Sequence, residues 1–112
     1  MPHDQLPEVV EEFARRYLGV WEAYNQLGHV TAAAGPLDER TQRLVKLALA
    51  VGAGLRGAVR SHTRRGLAAG LSRAEIEQVA LLAVTTTGWP SAFAAFSWLS
   101  EVFAEQDSGP EK

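Results

Sequence analysis

The chain has 112 residues, of which 46% are hydrophobic and 21% charged, with a net charge of -2 and no cysteine. That is the composition of one globular domain, and no apolar run reaches the ~20 residues needed to cross a bilayer. The charge balance gives no reason to expect nucleic acid or an anionic membrane as partner, and without thiols there are no disulfides, thiolate metal sites or cysteine nucleophiles.

Every segment reads as helix, so the expected fold is an all-α, single-domain bundle of five to six helices. The start, Met1 to Gln5, shows no secretory pattern, and a cytoplasmic protein is expected. A first helix is predicted from Pro7 to Leu27, because Val9, Phe13, Tyr17, Trp21 and Tyr24 recur at helical steps. Pro7 suits its first position and Gly28 its end, leaving His29 to Pro36 as a loop or a single turn. Asp38 is a good N-cap for a second helix running to about Val51, where Gly52 and Gly54 break it. A third helix is predicted from Leu55 to Ala69, with Gly70 as its cap. Ser72 and Glu75 form a capping box, which opens a fourth helix that stops near Gly88. Trp89 and Pro90 begin the last helix, lined by Phe93, Phe96, Trp98, Leu99 and Phe103, and the tail from Asp107 to Lys112 is expected to be disordered.

Two of these helices, the second and the fourth, are apolar nearly all round. One small domain can rarely bury two such helices, so a homo-oligomer with a large helical interface is expected.

The three histidines, His3, His29 and His62, are too scattered for a metal site, and neither a metal nor a cofactor is expected. Gly52 to Gly57 spells G-x-G-x-x-G, but it follows a helix rather than a strand and is not read as a phosphate loop.

The stretch from Leu37 to about Glu101 contains L-D-E-R-T-x-x-L-V-K-L-A-L-A-V-G, then S-H-T-R-R-G-L-A-A-G-L-S-R-A-E-I, then T-G-W-P-S-A. In order and spacing it resembles the carboxymuconolactone decarboxylase and alkylhydroperoxidase D-like superfamily. The resemblance implies an all-α subunit assembling as a trimer or hexamer, with its site near the start of the helix that carries His62. The peroxidase branch of that superfamily uses C-x-x-C-x-x-x-H. Carried across, its cysteines fall on Leu55 and Ala58, its second histidine on Gly57 and its glutamate on Arg43, so that only His62 remains. Thiol peroxidase activity is therefore expected to be absent, since neither Leu nor Ala supplies a thiolate. The decarboxylase branch has a glutamate where Ala58 stands and a histidine at His62. The implied function is a small-molecule lyase or decarboxylase acting on a carboxylated lactone or related acid.

Within that reading His62 is the candidate catalytic acid and base. By helical spacing Leu55, Ala58, Val59, His62 and Gly66 share one face, apolar but for the imidazole. Such a face makes a pocket for a small organic ligand; the plainer alternative is a histidine packed at an interface. Arg43 and Arg60 are candidates for holding a substrate carboxylate, since a guanidinium does so bidentately. The alternative for Arg60 is a solvated face or an ion pair. Trp89 is a candidate pocket wall, or else a core residue. A non-catalytic oligomeric binding or scaffold protein remains the rival to an enzyme. A third reading comes from Gly66 to Val79, which fits a helix-turn-helix spacing. The would-be recognition helix carries Glu75 and Glu77 against Arg73, which argues against DNA.

Overall fold

The computed structural model describes residues 7–108. They form six helices in the order α1 (Glu8–Arg16), α2 (Leu18–Ala33), α3 (Glu39–Ala53), α4 (Arg56–Ala68), α5 (Arg73–Ala83) and α6 (Trp89–Asp107). His3 and the last four residues of the expected tail lie outside the described residues, while Asp107 ends α6 inside them.

The boundaries of the last four helices follow local chemistry. The Asp38 side chain accepts a hydrogen bond from the Thr41 N–H at 2.8 Å and opens α3. Gly54, at φ 70°, closes it in the left-handed conformation that glycine adopts most readily. At α5 both halves of the capping box are made: the Ser72 hydroxyl accepts from the Glu75 N–H, and the Glu75 carboxylate accepts from the Ser72 N–H. Pro90 sits in the first turn of α6, where its missing N–H costs nothing.

These four helices pack around one core. Leu47 of α3, Val59 of α4, Ile76 of α5 and Leu99 of α6 are each at most 1% exposed. Small residues on α6, Ala92 and Ala95, let the neighbouring helices approach closely. Gly66 serves the same end on α4. A methyl group added there would lie 2.8 Å from the Cδ1 of buried Leu71, with the Ile76 Cδ1 3.8 Å away. Gly66→Ala should therefore lower stability by about 1–2 kcal/mol through overpacking, read from urea unfolding, although alanine is the better helix former.

The first predicted helix is the main correction. It is two helices, because Tyr17 leaves helical geometry at φ -126° and ψ 56°. The second of these runs through Gly28 and His29 to Ala33, past the predicted loop. Gly28 carries no positive φ, and the Thr31 hydroxyl donates to its carbonyl at 3.0 Å. A helical glycine costs only about 1 kcal/mol, and the next obligatory break is Pro36. Neither α1 nor α2 holds a buried residue. Together they form a bent arm beside the α3–α6 body. The radius of gyration is accordingly 14.8 Å, against about 13 Å for a compact domain of this length.

Candidate functional site

His62 projects from α4, one turn beyond half-buried Ala58, toward the α3 side of the body. Its imidazole is half-buried, and burial is the main force on its pKa, which is lowered to about 4. Three cations push the same way: Arg65 on α4, then Lys46 and Arg43 on α3. At pH 7 the ring is neutral. It is a hydrogen-bonding group and proton acceptor set in a positive field.

The depressed pKa has a signed consequence. The unfolded chain takes up a proton near pH 6.5, while the folded chain resists until about pH 4. Stability therefore falls as the pH drops through that window, by roughly 1–2 kcal/mol once solvent screening of a half-exposed ring is allowed for. Urea titrations at pH 7 and pH 4.5 should show the loss in the wild type and a smaller one in His62→Gln.

Arg43 is one-third exposed and pairs with Glu39 one turn back, at 3.0 Å. Because Glu39 is itself 75% exposed, that pair is weak, and another carboxylate can compete for the guanidinium. Lys46 has a second setting. It lines a cavity of about 230 Å³ between the end of α2 and α3, together with Leu37, Val45 and Leu49. Gln42 shapes this cavity by donating to the carbonyls of Ala32, at 3.0 Å, and Leu37, at 2.7 Å. Lys46 thus links a small, mostly apolar cavity to the field around His62.

The other sequence-predicted residues go elsewhere. Arg60 is engaged by α6: its guanidinium donates to Glu101 at 2.9 Å and to Glu105 at 2.5 Å. Arg56 joins Glu101 at 2.7 Å, so both of these α4 arginines meet carboxylates of the same chain. Leu55 caps α4 and is 55% exposed. Trp89 is 59% exposed and stacks on Phe93, with ring centroids 5.2 Å apart. The start of α6 is tied to the far end of α3, where the Ser91 hydroxyl reaches the Val51 carbonyl. Arg43 and Lys46 lie roughly 10 Å back along that helix. The face expected to line one pocket is divided, with Val59 and Gly66 in the core and Ala58 and His62 at its edge.

Lys46 is the charge that sequence reading missed, whereas Arg65 belongs to the run of α4 arginines that the sequence offers as an anion-binding rim beside His62. Lys46 stands three residues after Arg43 on the same side of α3, and Arg65 three residues after His62, which is the spacing that brings helix side chains together. A pairing of the two helices was needed to set them around one imidazole. Among the described residues no group of three or more His, Cys, Asp or Glu side chains could hold a metal ion, and no helix is long and apolar enough to cross a membrane. The would-be recognition helix α5 buries Ile76 and Ala80, and Glu75 at its start pairs with Arg40 of α3.

A search against protein families matches residues 19–101 to the carboxymuconolactone decarboxylase family. The match begins inside α2, upstream of Leu37, where the sequence resemblance begins. No curated protein matches the chain.

Proposed function

The chain belongs to the carboxymuconolactone decarboxylase family, and from that premise we propose that it binds a small carboxylated organic acid beside His62. The observation that carries this reading is the neutral imidazole set among Arg43, Lys46 and Arg65. A carboxylate is the ligand that such a field lacks. The apolar part of the acid would enter the 230 Å³ cavity, which lies below the ~300 Å³ of drug-sized sites and suits a small molecule.

As a lyase, the site would work through the same balance. A bound carboxylate offsets the cations and raises the His62 pKa toward its ordinary value. The imidazole can then hold a proton and deliver it to the carbon from which carbon dioxide departs. Arg43 and Lys46 hold the acid in place, while Arg60, tied to α6, acts as a helix clamp. Thiol peroxidase chemistry has no nucleophile here, since Leu55 and Ala58 stand at the cysteine positions of the resemblance and the chain has no cysteine.

The rival reading is binding without turnover. It is favoured by Ala58, whose methyl group stands where the decarboxylase branch carries a glutamate. A panel of carboxylated lactones and β-keto acids tests both readings. Ligands that raise the melting temperature of the wild type but not of the Arg43→Gln, Lys46→Gln double variant support the site, and turnover lost in His62→Ala supports the lyase. No rise in melting temperature with any ligand, with the wild type inert, would sink the proposal.

A further inference from the structure

The body carries an apolar groove that none of the described residues fills. It runs between α3 and α5, with a volume of about 480 Å³, and is lined on one side by Leu44, Ala48 and Val51 and on the other by Val79, Leu82 and Ala83. Leu82 is 58% exposed in the single chain, beside Leu81 at 57%. Soluble helices do not ordinarily leave such a face to water.

The arm presents the converse. Eight large apolar residues on α1 and the α1–α2 bend and along α2 are 44–74% exposed, among them Tyr24 at 68%, Leu27 at 57% and Val30 at 53%. With about 150–250 Å² for each aromatic and somewhat less for each aliphatic side chain, they offer roughly 800 Å², which is what one partner contributes to a standard interface. Along α2 itself the charge is confined to Glu22, so little polar surface would be desolvated.

The arm does not fill the groove of its own chain: no residue of α1 or α2 lines it, and neither helix holds a buried residue. Gln42 ties the end of α2 to α3 through Ala32 and Leu37, beside Lys46 and Leu49. The groove opens on the α5 side. The dimensions match across two copies: α2 has 16 residues and α3 has 15, or about 24 Å against 22 Å at 1.5 Å per residue.

We infer that α2 of one copy seats in the α3–α5 groove of a second copy, so that the oligomer forms by exchange of N-terminal arms. The contact joins two different surfaces, one arm and one groove per copy. It closes when each arm finds a neighbouring groove. It rests on the two unpartnered apolar faces and not on the ligand reading, so either can fail alone.

The absence of cysteine makes the test clean. Tyr24→Cys and Leu82→Cys are prepared separately, mixed to allow exchange, and treated with a short bismaleimide. The expected product is a covalent dimer, twice the 12.1 kDa of one chain, that accumulates at least several-fold more in the mixture than in either variant alone. Light scattering should show an oligomer for the wild type, and Leu82→Glu should shift it to monomer while far-UV dichroism stays helical. A monomeric wild type at micromolar concentration, an oligomer unmoved by Leu82→Glu, or cross-linking confined to arm with arm would each overturn the inference. So would a Tyr24→Cys, Leu82→Cys double variant that links only within one chain.

Discussion

Leu47→Ala should lower the stability of the fold by about 3–4 kcal/mol, the middle of the range for a leucine removed from a packed core. Leu47 is 0% exposed at the point where α3 meets the other three helices of the body. Its loss leaves a cavity that helices already pinned by ion pairs and caps cannot collapse to fill. Arg60 fastens α4 to α6, Arg73 fastens α5 to α6 through Asp107 at 2.8 Å, and Arg40 fastens α3 to α5. In a domain of this size, worth about 5–15 kcal/mol in total, the loss corresponds to roughly 10–20 °C in melting temperature. The comparison that isolates packing is Leu49→Ala, on the same helix but 67% exposed, where about 0.5 kcal/mol or less is expected. Equal losses at the two positions in a calorimetric scan would mean that α3 is not oriented as described.

That contrast between Leu47 and Leu49 was only partly legible in the sequence. α3 is apolar nearly all round, so periodicity identifies a helix without saying which leucine faces inward. Local signals did far better. Asp38, Gly54 and Ser72 with Glu75 place their helix ends because each meets a backbone requirement within a few residues. The same local reasoning failed at Gly28. Glycine permits a helix to stop but does not compel it, and without a left-handed φ or a proline α2 simply continued.

The site shows the same division. His62 stands out in the sequence because its neighbours are small and apolar, and Arg43 because of its place in the resemblance. The structure keeps these two together with Arg65, adds Lys46, and turns Arg60 toward Glu101 and Glu105. Those carboxylates lie more than forty residues along the chain, on a helix whose facing cannot be read from the α4 sequence. Trp89 is the converse case. Its closeness in sequence to the proline turn suggested a pocket wall, but the tie between Ser91 and Val51 sets it at the other end of α3.

The cations and the imidazole make a joint prediction. Replacing Arg43 and Lys46 together by glutamine should weaken binding of a small carboxylate by about 100-fold, since two charge-assisted contacts are worth about 3 kcal/mol combined. In the unliganded protein the same change should move the His62 pKa upward from about 4. The rise should stop short of the ordinary value, because burial, the larger cause, remains. A histidine ring titration by NMR reads the shift directly, and the two readouts must move together. Weaker binding with an unmoved pKa would place the cations on the ligand but away from the ring. A raised pKa with unchanged binding would place them near the ring but away from any ligand. If the site also turns over its acid, His62→Ala should cost about 10²–10⁴ in rate while leaving affinity within a few-fold, as expected of a proton-transfer group rather than a charge anchor. The double cation variant should do the reverse and lose mainly affinity. That split would follow from the proposed roles, with Arg43 and Lys46 as charge anchors and His62 as the proton-transfer group.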